Sequence, residues 1–198
     1  MKQVAVGLTG TIGAGKSTVA ELLRGFGADV ASGDVFGREV ITEDRSVIAQ
    51  ITAKLGATIV RPDGSLDRAA IAARVFDDPE LSAWLTALTF PGIHERWRKF
   101  LNHSTAEVVV FDAALIHEWK IAHEFDLILC IISEHGVAQK RSANRFSEAD
   151  FERRWQAQLS ADVKAAESDI VVPNNDSLAE LTTHITRIWQ TNILPLTR

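Results

Sequence analysis

The sequence predicts an α/β fold: a five-stranded parallel sheet with helices on both faces. Two observations lead there. Five short apolar runs, Val4–Leu8, Asp29–Ala31, Val108–Asp112, Leu127–Ile132 and Ile170–Val172, alternate with segments of helical periodicity. The first of them ends in a glycine-rich turn that opens a helix, giving strand, helix and strand within about thirty residues, a βαβ unit.

Each element has its own warrant. Val4–Leu8 is short and continuous rather than alternating, as a strand buried on both faces should be. Val19, Leu22, Leu23 and Phe26 then share one helix face, and Gly27 stands where a left-handed C-terminal cap is wanted. From Asp34 to Leu101 the pattern is helical, broken by the turn Arg61-Pro62-Asp63-Gly64. Leu81, Trp84, Leu85 and Leu88 read as core packing; Ile93, Trp97 and Leu101 continue the stripe beyond Pro91, which is expected to kink or end the helix. Arg141, Arg145, Arg153 and Arg154 make a basic helical stretch. Ser177 with Glu180 is a capping box opening the last helix.

The 198 residues suit a single domain, 1–198, with a helical insertion at about 62–104 and a helical lid at about 138–160. With 46% hydrophobic and 24% charged residues, long disordered stretches are not expected. A net charge of −5 provides no global field for nucleic acid or an anionic membrane, and neither partner is expected. The single cysteine, Cys130, lies inside an apolar run, as in a cytoplasmic protein. The apolar start is too short for a signal peptide, and no run approaches a membrane span of about 18 residues. A homo-oligomer stays open.

The chemistry concentrates at Gly10-Thr11-Ile12-Gly13-Ala14-Gly15-Lys16-Ser17, which fits G-x-x-x-x-G-K-[ST] between a strand and a helix. Glycines let successive amides converge on an anion, and the helix N-terminus adds its positive end. Gly13, Ala14 and Gly15 would cradle the phosphates of ATP, with Lys16 on the β- and γ-phosphates. Ser17 would ligate Mg²⁺ and Thr18 touch the α-phosphate. A turn that merely joined strand to helix would need neither Lys16 nor Ser17. Asp112, ending a strand, reads either as a carboxylate near the metal or as a loop cap. No His/Cys spacing suggests a further metal.

Neither a base-reading Asn-Lys-x-Asp nor a Leu-Ser-Gly-Gly-Gln signature is present, which turns the reading toward a small-molecule kinase. Arginines on a lid would exclude water and neutralise transferring charge, although a solvated basic face explains each of them equally well.

The order of motifs resembles the dephospho-coenzyme A kinase family over nearly the whole chain. Gly7 to Ala20 is similar to its opening. Gly27-Ala28, Asp34, Asp63-Gly64-Ser65-Leu66-Asp67-Arg68 and Val75-Phe76 follow in its order, then Arg145, Arg154 with Gln158, and Ser168 to Asn175. Ser32, Phe90 and Ala114 stand where that family has Asp, His and Pro, all on its acceptor side.

The resemblance implies a P-loop kinase fold and transfer from ATP·Mg²⁺ to the ribose 3′-hydroxyl of dephospho-CoA. Asp34 would accept or orient the hydroxyl proton, unless it only caps the following helix. Lys16 and Arg145 would stabilise the transferring charge, and Asn175 lies in the segment beside the adenine. Leu115, Glu118 and Arg154 would face the acceptor. His117 reads as an ordinary hydrogen-bonded residue. A nucleoside or nucleotide kinase, and an ATP-binding paralogue with little activity, remain as alternatives.

Overall fold

The computed structural model describes residues 2–75 and 78–198; Phe76, part of the Val75-Phe76 match, lies outside them. The strands are β1 Val4–Gly10, β2 Asp29–Ser32, β3 Val108–Asp112, β4 Leu127–Ile132 and β5 Ile170–Pro173. They form one parallel sheet in the order β2-β3-β1-β4-β5. All five apolar runs read from the sequence are strands. β1 lies at the centre, with Val4 beside Val108, Leu8 beside Asp112 and Val6 beside Leu127. Every residue of β1 is buried, which explains why its sequence does not alternate.

The chain divides into two units, Met1–Ser32 with Phe100–Arg198, and Gly33–Lys99. In the first, α1 (Lys16–Gly25) places Val19, Ala20 and Leu23 on Val6, Leu8, Val110 and Leu129. The turn at Gly27 closes α1, the Ala28 amide donating to the Leu23 carbonyl at 3.1 Å. Leu181 and Ile185 of the last α-helix, Leu178–Ile188, complete this core, together with Trp189 and Ile193 of the π-helical turn that follows. Each of these aliphatic side chains contributes about 1.5–3 kcal/mol on burial. The predicted capping box is present, Ser177 and Glu180 serving each other's backbone amides. Phe111 of β3 stacks on both Trp119 and Phe125.

The second unit is helical: α2 (Gly33–Glu43), α3 (Arg45–Leu55), α4 (Arg68–Val75) and most of α5 (Pro79–His103). Asp44 caps α3 through the Ser46 and Val47 amides. The Asp63-Gly64 segment is a turn in which Asp63 accepts from both the amide and the hydroxyl of Ser65, and Asp67 caps α4 through Ala69 and Ala70. Arg96 pairs with Glu39 and Glu43 across α2 and α5.

Of the two outcomes expected at Pro91, a kink or an end, the helix does not end there: it runs through to His103. Pro91 removes one amide donor, and its normal acceptor, the Ala87 carbonyl, belongs to an exposed residue that water can satisfy. The stripe is also less uniform than expected: Ile93 and Trp97 are buried, Leu81, Trp84, Leu85 and Leu88 only half-buried.

Candidate active site

In the first unit the polar side chains gather where the strands end. The phosphate loop leaves β1, Asp112 closes β3, Ser133 follows β4 and Asn174 follows β5. This carboxyl edge is where open parallel sheets bind ligands.

The phosphate loop turns back because Gly13 and Gly15 adopt φ of +73° and +91°. Space enforces the same choice. A Cβ on Gly13 would lie 2.5 Å from the Ala138 carbonyl oxygen, and one on Gly15 2.5 Å from Asn174 Nδ2. Ala14 is fully buried, and its carbonyl accepts from Asn174 Nδ2 at 2.8 Å. The amides of Gly13, Gly15, Lys16 and Ser17 find no acceptor among the described residues and are free for an anion. No acidic side chain occupies the first turn of α1 to compete for that positive end.

Lys16 Nζ donates to Asp112 Oδ1, both side chains retaining a little exposure. Asp112 is thus a carboxylate held against the lysine of the phosphate loop. Ser17 is exposed and Thr18 half-buried at the start of α1.

The basic stretch resolves into α6 (His135–Ser142) and α7 (Glu148–Gln156), separated by a turn. Its arginines divide. Arg141 donates to the carbonyls of Asn174 (2.6 Å) and Asp176 (3.0 Å), and Arg153 pairs with Asp150. Arg145 and Arg154 instead both lie over the Phe146 ring, at 5.3 and 4.4 Å from its centroid. They are the two of the four that the family resemblance assigns to the site.

Asn174 is the asparagine that touches the phosphate loop. Asn175 accepts from the Ser133 hydroxyl and the Glu134 amide and donates to Glu134 Oε1, one step further out. Leu115 is half-buried in the turn after β3. Glu118, in the same turn, is committed elsewhere: both its oxygens accept from Lys164 Nζ, at 2.8 and 3.0 Å. Lys164, in α8 (Ala161–Ala166), is fully buried. It was not singled out from the sequence, because a lone lysine in a short helix ordinarily reads as solvated.

Asp34 belongs to the second unit, in the first turn of α2 and two residues beyond β2. Its carboxylate is exposed and makes no hydrogen bond or ion pair among the described residues, so helix capping does not account for it. Its carbonyl accepts from Arg38 Nε at 3.1 Å.

His117 is buried. The Ser168 hydroxyl spends its proton on the Lys164 carbonyl at 2.6 Å, so it accepts from His117 Nε2–H at 3.0 Å. That fixes the neutral tautomer, with Nδ1 3.4 Å from Glu167 Oε2. Burial, and then the charge of Lys164, hold this imidazole below its usual range against the pull of Glu167 and Glu118. Burial likewise pushes the Cys130 thiol up.

Comparison with known proteins follows the same lines. The family model for dephospho-CoA kinase matches residues 4–180. A dephospho-CoA kinase of Thermobifida fusca (strain YX) is 33% identical over 188 residues, 93% of this chain and 94% of that protein. One from Corynebacterium glutamicum is 35% identical over 181 residues, 89% and 90% of the two chains. Among solved structures, TT1252 from Thermus thermophilus superposes with a TM-score of 0.81 at 26% identity, covering 97% of this chain and 99% of its own.

Proposed function

This chain belongs to the dephospho-CoA kinase family, and we propose from that premise how its residues transfer the γ-phosphoryl group of ATP to the ribose 3′-hydroxyl of dephospho-CoA. The observation that carries the reading is the set of free amides around Gly13–Ser17, closed on one side by Lys16 and Asp112. The reaction asks for little covalent work from the protein, so positioning and charge do most of it.

Lys16 exchanges Asp112 for the β- and γ-phosphates when ATP binds. The exposed Ser17 hydroxyl and the Asp112 carboxylate are hard oxygen donors of the kind Mg²⁺ takes. When bound with ATP, that ion would neutralise charge on the phosphate oxygens. Arg145 and Arg154 leave the Phe146 ring to meet the transferring phosphoryl group and the acceptor. The exposed, uncommitted carboxylate of Asp34 orients the attacking hydroxyl and takes its proton, and Leu115 contributes apolar surface to the acceptor. Asn174 holds the loop through Ala14, with Asn175 behind it on the nucleotide side. Glu118 serves from behind, through Lys164.

Purified protein given ATP·Mg²⁺ and dephospho-CoA should release ADP and coenzyme A in equal amounts, read by mass spectrometry. ADP released only with a nucleoside or nucleotide acceptor would replace this reading. ATP binding without turnover on any acceptor would favour the low-activity alternative. Asp34→Asn should lower kcat by about 10²-fold with little change in ATP affinity; a misfolded variant would return Asp34 to a structural role.

A further inference from the structure

Lys164 Nζ has three donors and three acceptors: Glu118 Oε1 and Oε2, and the Ala114 carbonyl at 2.5 Å. From there one short path leads to the end of β1 and a second into the phosphate loop. On one, the Ala114 carbonyl also accepts from the Thr9 hydroxyl of β1 at 3.1 Å. On the other, Glu118 Oε1 also accepts from the Leu159 amide at 3.1 Å, and the neighbouring Gln158 Oε1 accepts from the Ile12 amide at 3.2 Å. Ile12 lies inside the phosphate loop, and residues 158–159 lie just beyond α7, at the root of the segment read as a lid. A buried ion pair is an expensive way to fill a core, because apolar residues of the same volume serve as well or better. Its retention at this junction calls for something an apolar pair would not do.

We propose that Lys164 and Gln158 are positioning residues for the kinase reaction, a reading that rests on the function assigned above. Lys164 holds Glu118, Glu118 holds the backbone at Leu159, and Gln158 thereby keeps the phosphate loop at Ile12 in the form that receives ATP. The root of the lid and the loop are set as one piece.

Two mild substitutions test this. Gln158→Met keeps bulk and removes the acceptor for the Ile12 amide. Glu118→Gln keeps shape but weakens the grip of Lys164, and Glu118 does not itself touch Ile12. Hydrogen exchange of the Ile12 amide, followed by NMR, should speed up in both variants. ATP·Mg²⁺ affinity by calorimetry should fall about threefold to tenfold in each, the range of one net hydrogen bond. In the double variant the losses should be markedly less than additive, since both act on one path. An unchanged Ile12 amide in Glu118→Gln, or additive losses of ATP affinity, would overturn the proposal. Both readouts use ATP alone, so a wild-type protein inactive on dephospho-CoA would sink the acceptor assignment while the path is still decided.

Discussion

Lys16 and Lys164 each face a carboxylate in the same unit, yet the first side chain keeps 18% of its surface exposed and the second keeps none. Among the described residues Lys16 has one anionic partner, Asp112, and donors to spare; Lys164 has every donor engaged. A lysine that must meet an incoming phosphate has to be released easily, and partial exposure keeps the exchange inexpensive. A lysine that never moves can be saturated. The contrast separates a cation kept for substrate from one kept for architecture, although both appear as Lys–carboxylate pairs.

The widest gap between the two should appear in stability. Lys164→Met leaves the Glu118 carboxylate without its countercharge and should cost about 3–5 kcal/mol in chemical denaturation. Lys16→Met, where the lysine keeps some exposure and makes one charged contact rather than three hydrogen bonds, should cost less, about 1–3 kcal/mol. Equal losses would break the distinction. The order reverses in catalysis, where Lys16→Met should lower kcat about 10²–10³-fold in the ADP-release assay; turnover close to wild type would remove Lys16 from charge stabilisation.

The smallest effect lies beside Lys164. His117 is held below its ordinary pKa in the fold, so the unfolded chain takes up the proton first as pH falls past about 6.5. The unfolded state then binds more protons, and stability declines with falling pH until the folded imidazole itself titrates. His117→Gln should flatten this decline in unfolding midpoints measured between pH 7 and pH 5. An unchanged slope would mean that burial, with the charge of Lys164 behind it, does not hold the His117 imidazole down.

Much of this was legible in the chain because the determinants are local. A strand buried on both faces shows as an unbroken apolar run, and Gly13, Gly15, Lys16 and Ser17 announce a phosphate site by their order. What stayed hidden depends on directions that one dimension does not carry. Asn174 and Asn175 are identical neighbours after β5, and only the fold turns the first onto Ala14. Lys164 looks like any solvated lysine until α8 lays it beneath the turn at Ala114. Pro91 left a kink or an end open in the sequence, and the helix runs on through it, where the unbonded carbonyl belongs to the exposed Ala87. Glu118 was expected to face the acceptor, and the fold instead turns its carboxylate onto Lys164, 46 residues away in the chain.

The sole thiol, Cys130, sits fully buried in β4 with its ionisation suppressed. It should therefore stay silent toward maleimide dyes at neutral pH. A reporter introduced by Asn144→Cys, at an exposed position beside Arg145, would carry a fluorophore with no background labelling, giving a direct optical record of how the arginine-bearing turn responds to nucleotide.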